Sequence, residues 1–119
     1  MKTTVGYSGG DYENPTYDEV NKDITGHAKC VKIEYDPELT NVTKLLKHYF
    51  AITDPTTLNR QKKAIGSMFR SVLFYSNDDE KKKIIEYINS IRQDYKDPIV
   101  TEVVELKRFW EGKSIFRTI

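Results

Sequence analysis

Cysteine occurs once in these 119 residues, at Cys30, and histidine twice, at His27 and His48. A single thiol excludes a disulfide within the chain and any metal site built from several cysteines. A dominant charge is missing as well: 19 basic residues against 18 acidic ones leave a net charge of +1. Such a balance generates no field that would draw nucleic acid or a membrane surface. No apolar run approaches the roughly 20 residues of a membrane-spanning helix. Met1-Lys2-Thr3-Thr4 carries none of the apolar segment of a signal peptide, so the expected location is cytoplasmic. Repeats, low-complexity tracts and linkers are also lacking, and the length predicts a single domain over residues 1–119.

Aromatic residues, by contrast, are plentiful, with eight Tyr, five Phe and one Trp. They suit a modest core or the lining of a pocket, and composition does not separate the two. The run Lys81-Lys82-Lys83 follows Asp78-Asp79-Glu80, which reads as the solvated start of a helix whose acids match its dipole.

Periodicity sets the organisation. Residues 5–20, rich in Gly, Asn, Pro and Tyr, read as a short strand running into an irregular loop. Residues 28–35 alternate, with Val31, Ile33 and Tyr35 on one face and Cys30, Lys32 and Glu34 on the other; Asp36-Pro37 ends this strand. Val42, Leu45, Leu46, Tyr49 and Phe50 form one apolar helical stripe behind an N-cap at Thr40 or Asn41. Residues 52–70 read as a long polar connection, and Ser71 to Ser76 as a short buried strand. A second helix over about residues 78–95 carries Ile84, Ile88, Ile91 and Tyr95, with Ile85 widening the stripe, and Pro98 stops it. Ile99 to Leu106 is β-branched enough for a last strand. This order predicts an α+β fold, a two-layer sandwich with helices on one sheet face.

Three segments carry the chemistry: Val5-Gly6-Tyr7-Ser8-Gly9-Gly10 through Asn14-Pro15-Thr16-Tyr17-Asp18-Glu19-Val20, then Thr25-Gly26-His27-Ala28, then Asp54-Pro55-Thr56-Thr57-Leu58-Asn59-Arg60-Gln61. In order and spacing they resemble the peptide methionine sulfoxide reductase A family, well over residues 3–76 and weakly over 99–109. Several rare residues in fixed order carry far more information than one short pattern. The resemblance implies a ferredoxin-like core and repair of oxidised methionine in proteins or peptides, with thioredoxin as reductant and no bound cofactor or metal. It also implies roles at individual positions. Glu19 matches the acid that donates a proton to the sulfoxide oxygen, a role suited to a buried carboxyl with a raised pKa. Tyr7 matches a tyrosine that hydrogen-bonds near the same oxygen. Asp54 helps organise the substrate pocket, and Phe69 stands where the family has a second pocket tyrosine.

The family's nucleophile is a cysteine in a Gly-Cys-Phe-Trp-Gly segment upstream of the Val-Gly-Tyr motif, and that segment is not among these residues. With it go the first strand and helix of the ferredoxin-like core and the Phe-Trp wall for the S-methyl group. Further departures are Met68-Phe69-Arg70-Ser71 for Gln-Tyr-Arg-Ser, Lys62-Lys63-Ala64 for Gly-x-Asp and Thr53 for a histidine. Glu111 to Arg117 offers no counterpart of an Ala-Glu-x-x-His-Gln stretch. The expectation is a reductase-like chain that is catalytically impaired or inactive as it stands. The alternatives are an active enzyme once an N-terminal segment completes it, and a non-catalytic module that pairs strands through an unfilled sheet edge, forming a homo-oligomer or adding a partner's strand.

Each position also has a plainer reading. Glu19 caps or orients its loop, Tyr7 is a core aromatic, Asp54 is a turn residue before Pro55 and His27 is a hydrogen-bonded structural histidine. Cys30, though flanked by Lys29 and Lys32, reads as a buried structural thiol.

Overall fold

The computed structural model describes residues 2–112. Strand β1 (Lys2–Ser8) leads through a loop to a short helix α1 (Tyr17–Asn21), then β2 (Ala28–Glu34) and helix α2 (Val42–Ile52). A small hairpin, β3 (Arg60–Gln61) and β4 (Ala64–Ile65), precedes a single 3-10 turn at Ser67–Phe69. After it come β5 (Val72–Tyr75), helix α3 (Asp78–Ile91), β6 (Glu102–Glu105) and β7 (Phe109–Glu111). The fold is a mixture of helices and sheet, as the periodicities predict.

Two cores organise it. In the first, Leu46 and Phe50 of α2 bury against Ile84 and Ile88 of α3, with Leu73 and Tyr75 of β5 and Val103 of β6 packed beneath. Burying each such side chain contributes about 1.5–3 kcal/mol, so this packing holds the two helices on the β5–β6 pair. Both helices start at an asparagine, Asn41 and Asn77, whose side chain accepts the backbone N–H three residues on. The stripe on α2 faces the core as its spacing predicts, Leu46 and Phe50 buried and Val42, Leu45 and Tyr49 half-buried, whereas Ile85 of α3 stays exposed. Helix α3 also ends earlier than Tyr95: a 3-10 turn at Arg92–Asp94 takes over from Ile91.

The second core lies on the three-stranded sheet, ordered β2-β1-β7, in which β1 is central and antiparallel to both neighbours. Tyr7, Val20 and Met68 are buried there, with Phe69 and Trp110 packed against them. The parallel pair β5–β6 and the hairpin β3–β4 are separate sheets, so β2 and β5 each end a sheet.

Four expectations are corrected. The alternation at residues 28–35 does make a strand, yet its apolar face is not core: Val31 is 54% and Ile33 39% exposed. The loop after β1 contains helix α1, started by Thr16, whose hydroxyl accepts Glu19 N–H while the Glu19 carboxylate accepts Thr16 N–H. That reciprocal capping box outweighs the irregular composition. The polar connection 52–70 holds the hairpin and the 3-10 turn. The stretch after Arg108, without a pattern by sequence, pairs with β1 as β7. Of the Glu111 to Arg117 stretch, all beyond Gly112 lies outside the described residues.

Candidate functional site

The buried end of β1 carries Gly6, Tyr7 and Ser8. In register, Tyr7 faces Lys29 on β2 and Trp110 on β7. Residues directly opposite in an antiparallel sheet project to the same face. Tyr7 is only 2% exposed. Its phenol pKa is raised, first by burial and second by the neighbouring Tyr17 hydroxyl, so it stays protonated and able to donate. Phe69, presented by the 3-10 turn, packs on this cluster. The Lys29 ammonium lies 4.8 Å from the Phe69 ring centre and 5.3 Å from that of Tyr17. Arg108 covers Trp110, its guanidinium 4.2 Å from the ring centre. The result is an aromatic, cation-edged face around Tyr7.

Glu19 sits one residue before Val20, which anchors α1 in the same cluster. Its carboxylate accepts Thr16 N–H at 2.9 Å and the Tyr12 hydroxyl. These bonds, the Tyr12 one foremost, hold Glu19 below the ordinary carboxylate pKa. The raised pKa expected of a buried proton donor is therefore not found. Stabilising the charged form outweighs the slight desolvation at this site.

Asp54 closes a tight turn of its own. Its Oδ1 accepts Thr56 N–H at 3.0 Å and Thr56 Oγ1–H at 2.6 Å, which together lower its pKa. Gln61 clamps the Asp54 backbone from both sides, accepting N–H at 3.1 Å and donating to the carbonyl at 2.8 Å. Pro55 is buried, and its carbonyl accepts Val100 N–H at 2.8 Å. The structure thus brings Tyr7 and Phe69 together, binds Glu19 to Tyr12 and Thr16 next to the clustered Val20, and commits the Asp54 carboxylate to Thr56.

Sequence reasoning passed over Tyr12, Tyr17, Lys29 and Trp110 as site residues. A usable signal existed for α1 alone, since Thr16-Tyr17-Asp18-Glu19 has capping-box spacing. Lys29 and Trp110 reach the site through strand register, which no local pattern encodes.

The remaining motif residues hold the frame. His27, 1% exposed, accepts Gly10 N–H at Nδ1 and places its Nε2 2.6 Å from the Tyr12 carbonyl. Arg70 donates to the Gly26 and Ser67 carbonyls at 3.0 and 2.8 Å and pairs with Glu102 at 3.1 Å. Cys30 is half-buried, its thiol directed at the Gly6 carbonyl 3.7 Å away, and burial pushes its pKa up to about 12. Among the described residues, no helix is long and apolar enough to cross a membrane, and no group of three His, Cys, Asp or Glu could hold a metal ion.

The family described as "Peptide methionine sulfoxide reductase" matches residues 1–117, well past residue 109 where the recognisable motifs stop. A peptide methionine sulfoxide reductase MsrA from Haloquadratum walsbyi is 42% identical over 111 residues, covering 93% of this chain and 64% of the relative. One from Methanothermobacter thermautotrophicus is 39% identical over 116 residues, covering 96% and 69%. The crystal structure of Mxr1 from Saccharomyces cerevisiae in reduced form superposes with a TM-score of 0.89 at 26% identity, over 94% of this chain and 65% of that one. The chain therefore spans about two thirds of the length of the proteins it matches.

Proposed function

Because this chain belongs to the peptide methionine sulfoxide reductase family, we propose that it binds oxidised methionine side chains of proteins or peptides and supplies the substrate-holding part of a sulfoxide-reducing site. The observation that carries this reading is the buried, protonated Tyr7 phenol set among Phe69 and Trp110. A sulfoxide needs a hydrogen-bond donor for its oxygen and an apolar wall for its S-methyl group, and this cluster offers both.

Reduction requires a thiolate to attack sulfur while the oxygen is protonated. Glu19 is the proposed proton donor. In the free chain it is ionised, but a substrate that displaces the Tyr12 hydroxyl and covers the carboxyl removes its principal stabilising bond and adds desolvation, both of which raise the pKa. Asp54 is proposed to shape the pocket indirectly, by rigidifying the loop that leads through β3 and β4 to Phe69. Within the family fold, the β2–β1–β7 and β5–β6 sheets are proposed to belong to one ferredoxin-like layer under α2 and α3.

Cys30 is proposed not to be that thiolate. A thiol with a pKa near 12 is almost wholly protonated at neutral pH. These 119 residues are thus proposed to be catalytically impaired by themselves and competent when a further segment supplies a reactive cysteine, with thioredoxin as the reductant. The deciding experiment has two arms. Methionine S-sulfoxide peptide should shift the NMR signals around Tyr7 and Phe69 more than the methionine peptide does, and the chain alone should show no turnover with dithiothreitol or thioredoxin. Equal response to both peptides would sink the binding reading; turnover abolished by Cys30→Ser would make Cys30 the nucleophile.

A second reading rests on the exposed Val31 and Ile33 of β2, a strand that ends its sheet. Such an edge is suited to pairing with another strand, making this chain an interaction module. Sedimentation distinguishes it: strand pairing between copies gives a concentration-dependent dimer.

A further inference from the structure

The face around Tyr7 carries a second hydrogen-bond donor. Lys29 is the residue directly opposite Tyr7 in the β1–β2 register, so the phenol and the ammonium stem leave the sheet on the same side. Two rings from distant parts of the chain, Tyr17 of α1 and Phe69 of the 3-10 turn, lie 5.3 and 4.8 Å from that ammonium. Aromatic faces attract a cation through their quadrupole, and two of them restrict where a flexible lysine head can rest. Lys29 is half-buried rather than extended into solvent. On the other flank of Tyr7, Trp110 adds apolar surface to the same face.

A sulfoxide oxygen carries partial negative charge and only accepts hydrogen bonds. The Glu19 carboxylate, ionised in the free chain, is likewise an acceptor and cannot satisfy it in that state. The lysine head, in contrast, has three donors.

We propose that Lys29 is a specificity-determining residue whose ammonium donates a hydrogen bond to the oxygen of an oxidised methionine seated against Phe69 and Trp110. This inference rests on the substrate class proposed above and assigns discrimination between sulfoxide and thioether to one side chain. The reduced thioether has no such oxygen and gains nothing from the ammonium, while both forms share the apolar wall.

The competing role is purely structural: the lysine stem covers the two rings and its head serves no ligand. The test separates them by the ratio of two affinities. A short peptide with a central methionine S-sulfoxide and the same peptide with methionine are titrated into the 119-residue chain, into Lys29→Met, which keeps an apolar stem of similar length, and into Lys29→Arg, which keeps the charge. Lys29→Gln, with a neutral donor, is a second uncharged variant should the methionine variant fail to fold. The expected result is roughly a tenfold or greater loss of preference for the sulfoxide peptide in Lys29→Met, as for a hydrogen bond to a charged group. The methionine peptide should bind as before, and Lys29→Arg should restore most of the preference. An unchanged ratio in Lys29→Met and Lys29→Gln would overturn the role of Lys29 while leaving the pocket reading intact. Equal affinity of the unmodified chain for both peptides would overturn the two together.

Discussion

The Nδ1 atom of His27 accepts the backbone N–H of Gly10 at 3.0 Å, tying the Thr-Gly-His segment to the loop that leaves β1. An accepting Nδ1 fixes the proton on Nε2, which then donates to the Tyr12 carbonyl at 2.6 Å. One buried ring thereby joins two loops and positions the tyrosine that binds Glu19. Gly10 is part of the same contact. Its backbone packs so closely on Gly26 and His27 that a Cβ would lie 2.7 Å from the Gly26 carbonyl carbon and the His27 nitrogen.

His27→Ala should therefore lower stability by about 2–4 kcal/mol, because two backbone groups lose their partners in a site where water reaches them poorly. Urea unfolding measures the loss. The same variant should bring the Glu19 pKa back toward the ordinary carboxylate value, since Tyr12 is no longer anchored. An unaltered Glu19 titration would show that the Tyr12–Glu19 bond needs no help from His27.

Gly6→Ala tests why glycine precedes Tyr7. A methyl group there would run into the Trp110 carbonyl and come within 2.6 Å of the tip of the Phe109 ring on β7. Ring motion relieves the second clash but not the first, so β7 must shift away from β1. A destabilisation of about 1–3 kcal/mol is expected, of the size seen for overpacking. Trp110, the one tryptophan, should report a red-shifted emission as it gains solvent.

Tyr12→Phe removes the largest of the causes that lower the Glu19 pKa. Carboxyl NMR should show that pKa rising. The sign follows from linkage: a carboxylate with a depressed folded pKa contributes stability above its unfolded pKa and loses it as the pH falls through the folded value. The variant should accordingly resemble the parent in acid, where Glu19 is protonated in both states, and be the less stable of the two at neutral pH.

Cys30 should resist alkylation. With a pKa of about 12, only about one thiol in ten thousand is ionised at pH 8, so iodoacetamide should label the folded chain far more slowly than the unfolded one. Its linkage has the opposite sign to that of Glu19. The unfolded thiol ionises near 9, so the stability it contributes is complete below pH 9 and falls by about 1.4 kcal/mol per pH unit until about 12. Cys30→Val should remove that part of the alkaline slope. Rapid labelling at pH 8 would mean that the strand opens easily around Cys30.

The two helices of the first core were legible because each is nearly self-sufficient as a signal. An apolar stripe at helical spacing, with a cap at Thr40 or Asn41 before α2 and dipole-matched acids at the start of α3, marks each helix locally, and burial only confirms them. The motif residues around Tyr7, Glu19 and Asp54 were legible through their order along the chain, as was the family to which they belong. Tertiary structure decided the rest. Whether Val31 and Ile33 are core or surface depends on what packs over their strand, not on their alternation. The charge state of Glu19 depends on Tyr12, seven residues away and held by His27. The short strand at Phe109–Glu111 forms because β1 offers it a paired edge, and the same register puts Trp110 and Lys29 on either side of Tyr7. Periodicity and caps act within a few residues and can be read from a linear string. Register, desolvation and hydrogen-bond partners are set across the sheet, between residues that only folding makes neighbours.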